Sequence, residues 1–106
     1  MIKSPVYAGR FYCKYVSGNY MICSAVTCRT RSDARKGLKE AARNADIAEL
    51  RVDPSPDAQE WLEDVVSGRE LPVIVTDRCR AEGGFSDRTE QQRMNLLESA
   101  ARAGAE

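Results

Sequence analysis

An α/β fold with parallel strands is what this chain predicts, and three observations carry the expectation. Short apolar runs alternate with amphipathic helical segments in the order β-α-β-α-β-α. One strand and one helix recur every ~25–30 residues, the unit from which doubly wound sheets and barrels are both built. The connections are only a few residues long, which favours right-handed crossovers between neighbouring parallel strands.

Residues 1–19 (MIKSPVYAGRFYCKYVSGN) form an N-terminal arm or extension ahead of this rhythm, and residues 20–106 form the α/β unit. In the arm, Tyr7, Phe11, Tyr12 and Tyr15 are strand-type residues, while Pro5, Gly9 and Gly18 interrupt them. A short hairpin, an irregular arm and an extension before a start at Met21 all fit. Tyr20–Thr27 (YMICSAVT) reads as a buried strand. Ser32-Asp33 offers a helix cap and a first-turn acid for a helix through Asn44, with Ala34, Leu38, Ala41 and Ala42 on one face. Ile47–Val52 is the second strand. Ser55-Pro56-Asp57 supplies a cap, a proline at the first helical position and an acid favoured by the helix dipole. Trp61, Leu62, Val65 and Val66 form that helix's apolar stripe, and Gly68 ends it. Leu71–Thr76 is the third strand, and residues 77–86 form a polar loop. Ser86-Asp87 opens a last helix, whose Met94, Leu97, Ala100 and Ala101 share a face before Gly104 closes it.

Composition narrows the function classes. The chain has 106 residues, one domain's worth, with 42% apolar and 30% charged residues. Sixteen basic and sixteen acidic residues cancel, which argues against a strongly basic nucleic-acid-binding arm as the main theme. Mean hydropathy is -0.49, and no run approaches the ~18 apolar residues of a membrane span. No secretory leader pattern is present, so a cytoplasmic protein with no membrane and no nucleic acid among its partners is expected. Cys13, Cys23, Cys28 and Cys79 are spaced by 10, 5 and 51 residues, which matches no C-x2-C zinc pattern, and histidine is absent. Free thiols and no metal site are expected.

The strand ends carry the chemistry. In the second strand, alternation sets Ile47, Glu49, Arg51 and Asp53 on one side and Ala48, Leu50 and Val52 on the other, where a covering helix packs. In the third, Leu71, Val73 and Val75 face the helices and Pro72, Ile74, Thr76 and Arg78 face away. In the first, Ile22, Ser24 and Val26 share a face. Polar groups from each strand (Ser24, then Glu49 and Arg51, then Thr76 and Arg78) are expected to converge on one side near the C-terminal ends, where parallel sheets bind ligands. Arginine would grip a carboxylate or hydroxyls, and glutamate would accept from hydroxyls. That set suits an anionic, hydroxyl-rich small molecule. Equally, Glu49–Arg51 and Arg78–Glu82 could be simple ion pairs, and Gly83-Gly84 a simple turn.

Two motifs in these segments resemble those of type I 3-dehydroquinate dehydratase, a shikimate-pathway enzyme. Glu49–Asp53 (ELRVD) is similar to the family's second-strand motif. Pro72–Gly84 (PVIVTDRCRAEGG) is similar to its third strand and loop, an apolar run followed by T-x-R-x-x-x-E-G-G. The resemblance covers roughly residues 20–106. It implies the N-terminal part, the first three βα units, of an incomplete (β/α)8 TIM-type barrel; a whole barrel needs ~200 residues or more. It implies that Ser24, Glu49, Arg51 and Arg78 bind substrate and that Glu82 orients the family's catalytic histidine. The implied reaction, a carbon–oxygen hydro-lyase step, converts 3-dehydroquinate to 3-dehydroshikimate and water through a lysine Schiff base. No metal or organic cofactor is implied.

The family's histidine and lysine have no counterpart here: the lysines are Lys3, Lys14, Lys36 and Lys39, none at a strand end. The resemblance thus predicts a fragment with part of the substrate site, inactive alone, and associating as a family-like homo-oligomer or through open sheet edges. A small self-associating α/β binding module without catalysis is the alternative reading.

Overall fold

The computed structural model describes residues 9–14 and 20–106, so the expectations for residues 1–8 and 15–19 lie outside the described residues. Four strands, β1 (Gly9–Lys14), β2 (Tyr20–Thr27), β3 (Ile47–Arg51) and β4 (Val73–Thr76), form one sheet in the order β1-β2-β3-β4. Strands β2, β3 and β4 run parallel, as predicted. Strand β1 runs antiparallel to β2 along its free edge, from Gly9 beside Ala25 to Lys14 beside Tyr20. Of the three readings open for the arm, its described part is therefore a strand of the sheet.

Helices α1 (Arg31–Asn44), α2 (Ala58–Ser67) and α3 (Glu90–Ala103) cover one face. On that face, Val26, Ala48, Leu50 and Val73 meet Leu38, Trp61, Leu62, Val65, Val66 and Leu96 in a single core. Burying a residue such as Leu50 or Leu62 completely contributes about 1.5–3 kcal/mol. The α2 stripe packs as its periodicity requires, and Trp61 Nε1 donates to Asp57 Oδ1 at 3.3 Å. Strand β3 alternates as expected, with Ala48 and Leu50 buried and Ile47, Glu49 and Arg51 half-buried.

Each helix is capped by a different residue from the one its sequence suggests. Thr30, not Ser32, caps α1: its side chain accepts from Asp33 N, while Asp33 Oδ2 accepts from Arg29 N. Ser55 does not cap α2. Its hydroxyl donates to the Cys28 carbonyl at 2.5 Å, tying the β3–α2 connection to the end of β2. Asp57 takes the cap position, and Pro56 precedes it instead of starting the helix. Ser86 bridges to Cys79, its hydroxyl accepts from Arg88 N, and Asp87 pairs with Arg80; Thr89 instead caps α3, its side chain and Gln92 forming a reciprocal capping box.

The buried face of α3 is also rotated from the predicted one. Leu96, Ser99 and Ala100 are buried, whereas Met94 and Ala101 are exposed. The helix is apolar on two adjacent stripes, and contact with α2 and β4 selects between them. Gly104 ends α3 in a left-handed conformation (φ 109°). A Cβ there would come within 2.7 Å of the Arg69 guanidinium, which donates to the Val66 and Ala103 carbonyls at the ends of α2 and α3.

Candidate functional site

The parallel register decides which strand-end groups share a face. Ala25, Glu49 and Ile74 lie side by side in one row, and Thr27, Arg51 and Thr76 in the next. This is the face turned away from the helices, and Ile74 is exposed on it. Glu49 and Arg51 are brought together here, as alternation predicts. They do not pair with each other. Thr76 Oγ1 donates to Glu49 Oε2 at 2.8 Å, and Arg51 is held by Asp53 through Nε (3.3 Å) and Nη2 (2.9 Å). The simple ion-pair reading of Glu49 and Arg51 is therefore not what the fold builds: each charge has its own neighbour, which sets its direction.

Ser24 does not join them. It pairs with Ala48, between the core residues Val26 and Leu50 on one side and the start of β2 on the other, and is fully buried on the helix-covered face. The physical reason is the two-residue period: Ser24 shares its face with Val26, and Val26 belongs to the core. The β2 residue beside Arg51 is Thr27, a position that the sequence reading passed over. The same alternation would have found it, because Thr27 is one residue out of phase with Val26.

Arg78 lies two residues beyond Thr76, exposed at the same end of the sheet. Its carbonyl accepts from Ser86 N at 3.1 Å, but among the described residues no hydrogen bond or ion pair engages its guanidinium, so an Arg78–Glu82 pair is not formed either. Its position depends on the loop that follows. Residues Arg80–Glu82 form a 3₁₀ turn, closed by Gly83 at φ 90°. Gly84 then lies so close to β4's end that a Cβ would sit 2.1 Å from the Arg78 carbonyl oxygen. The Gly83-Gly84 pair is thus more than a turn: the first supplies a left-handed backbone and the second a close approach. Glu82 is exposed and accepts from Cys79 Sγ at 3.2 Å.

Two buried carboxylates behind this edge were not legible as such. Asp53 Oδ2 accepts from Phe85 N at 3.0 Å as well as from Arg51. Asp77 faces Arg88, whose Nη1 donates to Asp77 Oδ1 at 3.0 Å, and Arg93 Nε lies 3.9 Å from Asp77 Oδ2. Arg88 also donates to the Val52 and Ser55 carbonyls, so one guanidinium ties the β3–α2 connection to the β4–α3 loop. Asp53 stands in the ELRVD motif two residues from Arg51, a sequence signal of a kind. Asp77 and Arg88 are eleven residues apart across a loop, and no periodicity links them.

A groove of about 960 Å³ lies beside this edge, between the Asp53–Pro56 connection and α3, but Glu49, Arg51 and Arg78 do not line it. Its polar walls are largely paired among themselves, Gln59 with Ser99, Arg80 with Asp87 and Arg88 with Asp77. Among the described residues no element stands opposite the open sheet face, and the chemistry of the converging charges locates the candidate site better than cavity size does. Among the described residues no group of three or more His, Cys, Asp or Glu side chains is placed to hold a metal ion, and no helix is long and apolar enough to cross a membrane.

Comparison with known proteins adds a family to this geometry. Residues 22–106 match the family model described as type I 3-dehydroquinase. A Methanococcus maripaludis (strain C5) protein named 3-dehydroquinate dehydratase is 35% identical over 85 residues, covering 80% of this chain and 38% of that protein. The protein of the same name from Methanocaldococcus jannaschii is 32% identical over the same length, with the same coverage. The one from Methanosarcina mazei is 39% identical over 64 residues, 56% of this chain and 26% of the relative. The chain thus spans well under half the length of the curated relatives it matches. No solved structure gives a significant match.

Proposed function

Because the chain belongs to the type I 3-dehydroquinase family, we propose that residues 20–106 supply the substrate-gripping part of a 3-dehydroquinate dehydratase site. In this reading Glu49 accepts from, and Arg51 donates to, the hydroxyl groups of 3-dehydroquinate, and Arg78 meets the same molecule from β4. The observation that carries the reading is the side-by-side placement of Glu49 and Arg51 on the uncovered face, each already oriented, by Thr76 and Asp53. Groups held in place before the ligand arrives lose little freedom on binding, which is how a small polar ligand gains affinity. Thr27 and Thr76 flank Arg51 and add hydroxyls to the row. A contact from Ser24 has no support in this register.

The reaction implied by the family needs two further groups. An amine condenses with the substrate ketone and releases water. The iminium then draws in the electron pair of the adjacent C–H bond as a base takes its proton, and the ring hydroxyl leaves as water. Hydrolysis of the iminium returns the amine and gives 3-dehydroshikimate. These 106 residues hold no histidine. Lys36 and Lys39 are exposed on α1, and Lys14 lies beside Tyr20 at the opposite end of the sheet from Arg51. On this reading the amine and the base come from polypeptide outside residues 20–106, with Glu82 on the exposed loop available to orient an incoming imidazole.

Titration of 3-dehydroquinate into the purified chain tests this. Binding is expected, with amide shift changes at Glu49, Arg51 and Arg78, and with no growth of the conjugated-enone absorbance of the product. Arg51→Ala should weaken binding at least about tenfold, the loss of one charge-assisted contact. Turnover by the chain alone would overturn the division of labour, and unperturbed strand-end amides would overturn the site.

A further inference from the structure

We infer that Asp53 is the positioning residue of this site, holding the Arg51 guanidinium in one orientation and coupling it to the loop that carries Glu82. The inference rests on the reading of Arg51 as a ligand-binding group and extends it to a residue that does not itself touch the ligand. The Asp53 side chain is completely buried, whereas that of Arg51 is 24% exposed. Asp53 Oδ1 accepts from Arg51 Nε, and Oδ2 accepts from both Arg51 Nη2 and Phe85 N. Three donors thus converge on one carboxylate. The two-point contact fixes the plane of the guanidinium, because a planar fork on a planar carboxylate has one good geometry. It uses one edge of the fork and leaves the Nη1 protons uncommitted among the described residues.

The third contact gives Asp53 its reach. Phe85 directly follows Gly83-Gly84, and Gly84 is pressed against the Arg78 carbonyl. The 80–85 loop is therefore pinned at two points, to β4 by the Gly84 approach and to the end of β3 by Asp53. Loss of the carboxylate would free the Arg51 side chain and one anchor of the loop together. Asparagine keeps the size of Asp53 but offers one acceptor oxygen in place of two, and its amide N–H opposes either Arg51 Nε or both Arg51 Nη2 and Phe85 N.

Nitrogen-edited NMR of the 106-residue chain, combined with 3-dehydroquinate titration, tests the inference. In the unaltered chain the Arg51 Nε–H should exchange slowly with water and resonate apart from the exposed arginines. In Asp53→Asn it should move to the exposed-arginine position, the Phe85 amide should shift, and 3-dehydroquinate affinity should fall about tenfold. Arg51→Met should lose at least as much affinity, and Asp53→Asn added to it should cost much less than it does alone, because most of its effect passes through Arg51. Additive losses, or an Arg51 Nε–H signal indifferent to Asp53→Asn, would overturn the proposal. Should Asp53→Asn not fold, the unaltered chain decides: fast exchange at Arg51 Nε–H overturns the clamp and slow exchange supports it. An Asp53-dependent Arg51 signal in a chain that binds no 3-dehydroquinate supports the clamp and overturns the ligand reading alone.

Discussion

Cys28 shows how burial alone can silence a reactive group. It is fully buried where β2 ends, its thiol donates to the Arg51 carbonyl, and the Ser55 hydroxyl lies 3.8 Å away. Burial, opposed only in part by Ser55, pushes its pKa up to about 12. The nucleophile is the thiolate, so at about pH 8 Cys28 should resist iodoacetamide while the half-buried Cys79 is alkylated, as peptide mass spectrometry would show. The sign for stability follows. A folded thiol that keeps its proton to about 12, against about 8.5 in an unfolded chain, makes the fold less stable as pH rises between those values. Rapid labelling of Cys28 in the folded chain would contradict its burial. The site residues obey the same local logic with different outcomes. Glu49 and Arg51 were legible because strand alternation fixes their common side. Ser24 has the phase of Val26, and once Val26 enters the core Ser24 turns to the helix-covered side with it.

At the level of elements, the strands and helices follow from patterning, but their joints do not. Apolar alternation and the α2 stripe locate secondary structure, since the core must be built from one face of each element. The starts of α2 and α3 differ from the sequence reading because Ser55 binds the end of β2, while Ser86 and Asp87 fold back on the start of their own loop, contacts that capping rules do not see. The Arg88–Asp77 pair is the strongest of these joints, with side chains 10% and 0% exposed. Arg88→Met leaves the buried Asp77 carboxylate with only the more distant Arg93, and it also strips the Val52 and Ser55 carbonyls of a donor. A loss of about 3 kcal/mol is expected in urea unfolding, in line with breaking one side of a buried ion pair. A loss below about 1 kcal/mol, as surface pairs give, would show that the joint is solvated. The exposed Arg80–Asp87 pair belongs to that weaker class: Arg80 holds the Asp87 carboxyl below its usual range, yet both groups lie in water.

For the whole molecule, the open sheet sets the behaviour. Helices cover one face only, and the other exposes Ile74 beside Glu49 and Thr76. Phe85 and Met94 add apolar surface at 55% and 57% exposure. On its outer edge β4 receives a bond from Glu106 N to the Val73 carbonyl at 2.8 Å, at the strand's first residue. Such a sheet invites association through its edge and uncovered face. Sedimentation at high micromolar concentration should therefore show species heavier than the 11.8 kDa chain, and Ile74→Lys should shift the distribution toward monomer. A compact monomer at every concentration would remove the basis for self-association.

The amino-acid sequence determined the element order, the parallel pairing and the charges at the strand ends, because each is written in periods of two and 3.6 residues or in short contiguous motifs. Only the tertiary structure decided what holds those charges: Thr76 against Glu49, Asp53 against Arg51 and Phe85, and Arg88 between two loops. It also decided that Ser24 turns inward, that α3 buries Leu96 and exposes Met94, and that β1 flanks β2 in the opposite direction. These are contacts between segments far apart along the chain, and their partners are selected by packing the core, which no local pattern encodes.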